Sequence, residues 1–326
     1  MKILSERLGF IRFFTWWNYK LPPLFGIAFF FILYSNLSFG ITLQRLAILI
    51  ICMIGTAGFG HYLNDLFDIE TDKISGKQNS SSQHSTFRRV FTLLILLVLG
   101  LLPWFLFYEV GELHFAVLAV MLLFVLYSVP PVRLKNRGFS GIFSDTLYAH
   151  AVPAVVVSLA MLEGTRRTGE TFNLMLIVFL WQFFVGFRNI AFHQFEDFEQ
   201  DRQSNTITWA VKIGAERIKK ICLYIIHPLE LFLFLIFWVA LFHVSILGGV
   251  LLAAMILLRL YIYRFIYEKG YLSNWRNYFS FVNNSYEEDI PIALLVSLCF
   301  INPAFVLVLI LHCILFPEFF KRMQRI

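Results

Sequence analysis

Charge is scarce in this chain. Only 15% of its 326 residues are charged, against about 25% in an average soluble chain, while 59% are hydrophobic and the mean hydropathy is +0.72. That deficit excludes an ordinary soluble domain. Cysteine is scarce too: Cys52, Cys222, Cys299 and Cys313 lie in apolar stretches without CxxC pairing, which excludes the usual zinc and dithiol motifs. They read as packing residues. A cleavable leader is not expected, because the basic, aromatic stretch 1–20 runs into an apolar span too long for a signal-peptide core, with no small-residue cleavage site after it. The net charge of +6 would suggest a nucleic-acid partner for a soluble protein. Here the basic residues sit between apolar runs, so no nucleic acid is expected and topology explains them.

What the chain has is apolar length. Uncharged runs of bilayer-crossing size fall at roughly 21–43, 46–63, 90–108, 113–132, 139–161, 172–187, 221–243, 246–264 and 290–316. The expected fold is therefore an all-α integral membrane protein with nine transmembrane helices, one polytopic domain over residues 1–326. Asn302-Pro303 is a possible kink in the last run. Of the 27 Lys and Arg residues, 21 precede the first run or follow the second, fourth, sixth and eighth. By the positive-inside rule the N-terminus and those connections are expected to be cytoplasmic. Lys321, Arg322 and Arg325 in the tail pull the other way.

Two polar clusters repeat at a fixed offset. Asn64, Asp68 and Asp72 are matched 129 residues later by His193, Asp197 and Asp201, each set at the end of an even-numbered run. On a continuous helix, i, i+4, i+8 spacing gathers each set on one face. Taken alone, either cluster reads as a solvated acidic cap. Together they argue for bound cations, because acids at a helix C-terminus oppose its dipole and crowd like charge. Magnesium suits such faces: it takes a few carboxylates and completes its octahedron with water and phosphate oxygens. Two four-helix units plus one helix would bring the clusters together across a shared cavity, able to hold a diphosphate through bridging ions.

With these clusters the sequence resembles the UbiA superfamily of intramembrane prenyltransferases. The first motif of that family, Asn-x-x-x-Asp-x-x-x-Asp, is matched by Asn64-Asp65 through Asp72, with Lys73 after it. The second is matched by Asp197, Glu199, Asp201 and Arg202, followed by Thr208, Ala210, Val211 and Gly214. The family's loop after the fourth helix is matched by Tyr127-Ser128-Val129-Pro130-Pro131 through Arg133 and Lys135. Motif order and helix count agree over about residues 15–315.

The resemblance implies magnesium-dependent transfer of a prenyl group from an isoprenyl diphosphate to an aromatic or lipophilic acceptor within the membrane. Asn64, Asp68, Asp72, Asp197 and Asp201 would hold magnesium, and Lys73, Arg133 and Lys135 would add positive charge for the departing diphosphate. Phe67, Tyr127, Phe195 and Phe198 are the aromatic faces nearest the motifs for the allylic cation. Asp145 and His150, ionisable within the fifth run, are candidates for touching the acceptor. Glu230 is far from every motif and reads as structural.

The chain departs from the family at His193, Glu196 and Asn205-Thr206-Ile207, where fewer cations surround the second motif. Three roles are open to His193: metal ligand, base toward the acceptor, or interhelical hydrogen bond. The loop Ser75 to Arg89, rich in Ser and Gln, reads as a mobile cover. Competing readings are prenyl cyclisation or phosphoribosyl transfer to a polyprenyl phosphate on the same fold, a CDP-alcohol phosphotransferase, and an ion-coupled transporter. The phosphotransferase signature Asp-Gly-x-x-Ala-Arg is missing, and the clusters sit at run ends rather than midway, where a transporter binds its ion.

Overall fold

A computed structural model describes residues 11–74, 76, 78–204, 206–265 and 271–317. Among them the architecture is all helical, the only strand-like feature being an isolated bridge between Gly138 and Thr208. In chain order the main helices are α1 (Phe13–Ser35), α2 (Phe39–Ile74), α3 (Thr86–Phe107), α4 (Gly111–Ser128), α5 (Phe139–Met161), α6 (Gly169–Glu196), α7 (Phe198–Gln203), α8 (Trp209–Ile213), α9 (Ala215–Val244), α10 (Ile246–Phe265), α11 (Trp275–Asn284), α12 (Ile290–Ile301) and α13 (Phe305–Leu315).

Seven of these, α2 to α6 with α9 and α10, are long and apolar enough to cross a membrane, and they coincide with the second to eighth expected spans. The full count of nine is not reached on that criterion among the described residues. The last run is split at Asn302 and Pro303 into α12 and α13, of 12 and 11 residues. The first expected run extends over 21–43, but α1 stops at Ser35 and Asn36 takes the left-handed conformation, with φ +51°. Of the basic residues used for orientation, Lys2, Arg7, Lys77, Lys269, Lys321, Arg322 and Arg325 lie outside the described residues.

π turns fall within α5 at Leu147–Ala151, within α9 at Cys222–Ile226, and between α11 and α12 at Ser285–Asp289. Each ends two residues before a proline: Pro153, Pro228 and Pro291. The cause is local, since proline lacks an N–H and its ring presses on the carbonyl four residues back, which in each case lies within the widened turn.

The chain folds as two compact units, Met1–Phe14 with Ala47–Phe237, and Thr15–Leu46 with Trp238–Ile326. This differs from the expected pair of consecutive four-helix units. Contacts follow spatial packing rather than the sequence repeat, and both acidic clusters fall in the first unit. That unit packs α2 on α3 through glycine: a Cβ on Gly55 would lie 2.1 Å from the Gly100 backbone nitrogen. In the second unit the buried Arg259 guanidinium binds Asp289 at 2.6 and 2.7 Å and Glu288 at 2.7 Å, so its charge is compensated inside the fold. All four cysteines are free thiols.

Candidate functional site

The first acidic cluster occupies the last three turns of α2, where helical spacing does gather Asn64, Asp68 and Asp72. Asp68 and Asp72 are buried, a costly state for carboxylates unless they are compensated. For Asp68 the compensation comes from three sides. Asn64 Nδ2 donates to it at 2.8 Å, the Arg133 guanidinium at 2.9 Å, and the Lys135 ammonium in a shorter contact. Lys135 Nζ also donates to Asn64 Oδ1 at 3.0 Å, and Ser128 Oγ approaches the same oxygen at 3.4 Å. Burial pushes the Lys135 ammonium below its ordinary range, while Asp68 pulls it back up. Arg133 reaches Asp68 from a left-handed backbone, φ +37°, sparsely populated for a side-chain-bearing residue.

The same loop is tied at its other end to the second cluster. Gly138 N–H donates to the Ile207 carbonyl at 3.0 Å, beside the bridge to Thr208, and Thr206 N–H donates to the Asp201 carbonyl at 2.8 Å. Gly138 has φ +65°, and a Cβ there would meet the Lys212 side chain at 2.7 Å. The loop after α4 thus runs from Asp68 to within a few residues of Asp201. Tyr127, at the end of α4, lies within Coulombic reach of Asp145, Asp68 and Asp201.

The second cluster departs from the expected single helical face. α6 ends at Glu196, Asp197 is a turn residue with φ −86° and ψ 4°, and α7 restarts at Phe198. The backbone bonds from Asp197 to His193 and from Asp201 to Asp197, 2.9 and 2.8 Å, persist across the break. His193 and Asp197 are exposed and Asp201 is half-buried, unlike the sequestered carboxylates of the first cluster. Gln194 fixes the following segment: its Oε1 accepts the Trp209 and Ala210 amides at 3.1 and 3.3 Å, capping α8.

Other expected residues sort by position. Lys73 is exposed in the last turn of α2, with no ion pair to the cluster carboxylates among the described residues. Asp145 accepts the Tyr148 hydroxyl at 2.5 Å, and Tyr148 stands edge-on to Tyr127, ring centroids 5.2 Å apart. His150 is buried against Gly186 of α6, where its ring leaves no room for a Cβ. Phe195 and Phe198 pack against the cluster of Ile142, Phe187, Ala191 and Ala210, while Phe67 is exposed.

Sequence reasoning missed Arg12, which pairs with Asp65 at 2.6 Å, and Asn79, which binds Asp72 at 2.8 Å. No spacing rule marks either. The connection expected to be a mobile cover is, in its described part, a 3₁₀ turn at Ser80–Gln83, held through buried Ser81 and by Arg89 on the Ser81 and Ser82 carbonyls.

Among the described residues no three His, Cys, Asp or Glu side chains converge as a closed metal cage. The donors present are carboxylate and amide oxygens, which suit a hard cation that keeps most of its coordination sphere for water and phosphate. They fit magnesium on those terms.

The sequence profile of the UbiA prenyltransferase family matches residues 21–285. No curated protein matches the chain by sequence. Among solved structures, a UbiA homologue from Archaeoglobus fulgidus bound to GPP and Mg2+ aligns with TM-score 0.57 and 19% identity, covering 87% of this chain and 97% of that one. A further structure of the Archaeoglobus fulgidus homologue gives 0.59 and 18%, covering 89% and 99%. A structure reported for digeranylgeranylglyceryl phosphate synthase in membranes gives 0.54 and 19%, covering 91% and 99%. At such identities the likeness establishes the fold.

Proposed function

Because the chain belongs to the UbiA prenyltransferase family, its profile covering residues 21–285, we propose that it transfers a prenyl group from an isoprenyl diphosphate to a lipophilic acceptor in the membrane, with magnesium as cofactor. One observation carries the reading: a single loop engages Asp68 through Arg133 and Lys135 and is tied through Gly138 to the strand of chain just after Asp201. Two carboxylate clusters with cations between them are what a diphosphate requires. The Archaeoglobus fulgidus homologues, of the same fold, are reported with GPP or DMAPP and Mg2+ bound, which supports both donor and cofactor.

On this reading Asp68, Asp72, Asp197 and Asp201, with Asn64, hold magnesium, whose charge when bound stabilises the diphosphate as the allylic carbon–oxygen bond ionises. Arg133 and Lys135 then exchange Asp68 for diphosphate oxygens, their charges already desolvated and oriented. The Tyr127 and Tyr148 rings offer electron-rich faces to the cation. Asp145, held by Tyr148, is on this reading the carboxylate that touches the acceptor. The concentration of Lys and Arg before the first run and after the even-numbered runs supports a cytoplasmic side for both clusters.

The test is diphosphate release from geranyl, farnesyl and geranylgeranyl diphosphates by protein purified in detergent, with and without magnesium. Release that requires magnesium and is lost in Asp68→Ala and Asp197→Ala supports the reading. No release from any donor, with a broad mixture of phenols and lipids present, rejects it.

A further inference from the structure

Asn79 belongs to none of the motifs, yet its side chain is committed on every side. Nδ2 donates to Asp72 Oδ2 at 2.8 Å and to the Asp65 carbonyl at 2.7 Å. Oδ1 accepts from the Ser81 backbone N–H at 3.1 Å and the Ser81 hydroxyl at 2.6 Å. An amide has two donor hydrogens and two acceptor lone pairs, so its capacity is filled. The nitrogen faces only acceptors and the oxygen only donors, which leaves one orientation for the amide. A carboxylate here would face Asp72 with no hydrogen to give, and a hydroxyl would not span both α2 and the turn. Ser81, the anchor, is fully buried, and Ser82 Oγ donates to the Asn79 carbonyl at 2.7 Å.

We propose that Asn79 is a positioning residue for magnesium at the first acidic cluster: it fixes the Asp72 carboxylate by holding Oδ2, so that Oδ1 is offered to the ion. The proposal rests on the reading above, in which Asp72 is a ligand. Its physical basis is that carboxylates able to ligate a metal lose affinity when their orientation is left free, and that outer hydrogen-bond partners are worth about 10- to 100-fold in metal binding. The turn Ser80–Gln83 then has a function: it holds the amide, 7 residues beyond Asp72 in sequence, against Asp65 and Asp72 of α2.

The experiment is a Mn2+ titration followed by electron paramagnetic resonance on the full chain in detergent, with geranyl thiodiphosphate present as a slowly reacting donor. Asn79→Ala raises the Mn2+ concentration for half-saturation on the order of 10- to 100-fold, with the metal-free unfolding midpoint lowered only as far as the loss of a turn cap lowers it. Ser81→Ala, which removes one of the two bonds to Oδ1, gives a smaller rise in the same direction and serves if Asn79→Ala does not fold. Half-saturation unchanged within about twofold in the folded variants, while wild type binds Mn2+ and Asp72→Ala does not, overturns the role of Asn79 and leaves the magnesium site standing. Wild type that binds no Mn2+ overturns both.

Discussion

The Arg188 guanidinium grips both carboxylate oxygens of Glu230, Nε to Oε2 at 2.5 Å and the terminal nitrogen to Oε1 at 3.0 Å, with both side chains almost wholly buried. The pair joins α6, which leads into the second acidic cluster, to α9, and His227 approaches the same carboxylate at 3.5 Å. A bidentate fork satisfies both charges in a medium where either alone is expensive.

Breaking that pair therefore costs more than deleting it. Glu230→Gln lowers stability by about 3 to 5 kcal/mol, whereas Arg188→Met with Glu230→Leu recovers most of the loss, because no uncompensated charge remains. Thermal unfolding in detergent of Glu230→Gln and of the Arg188→Met, Glu230→Leu double variant checks this.

Asp68 and Asp197 should separate in their effect on stability. Asp68→Ala strands the buried Lys135 ammonium and Arg133 and destabilises by on the order of 3 kcal/mol. Asp197→Ala, at an exposed turn, stays within about 0.5 kcal/mol of wild type. Both abolish magnesium-dependent diphosphate release, so unfolding midpoints and activity measured on the same preparations separate the carboxylate that also holds buried cations from the exposed one.

Lys135→Met lowers diphosphate release by about 100-fold at saturating magnesium, the loss typical of one preorganised charge stabiliser. Lys73→Met, exposed in the last turn of α2, leaves it within about threefold by the same comparison. Equal losses in the two variants would remove the distinction drawn between them.

Two glycines of α2 differ in what opposes them. A Cβ at Gly55 meets Gly100 backbone, and one at Gly60 meets the Phe124 ring at 2.2 Å. Gly55→Ala and Gly60→Ala both destabilise by about 1 to 3 kcal/mol through overpacking. Only the second is relieved by a partner change, Phe124→Leu, since a backbone cannot be trimmed. Unfolding midpoints of the three variants test the contrast.

The membrane class, seven of the spans, the two acidic clusters and the basic loop are legible in the chain itself, because each is written locally: bilayer length in uninterrupted apolar runs, helical spacing in residues four apart. So are the break of the last run at Asn302-Pro303 and the structural character of Glu230. Tertiary structure alone decided which charge meets which. Arg188 finds Glu230 across 42 residues, Lys135 finds Asp68 across 67, and Asn79 reaches Asp72 only because a serine-anchored turn folds back on α2. The break at Asp197 was hidden for the same reason: the i+4 spacing survives it, while Gln194 and the Gly138 bridge hold the chain that follows. Periodicity reports the backbone a residue sits on, but the partner of a buried charge is fixed by the packing that removes it from water.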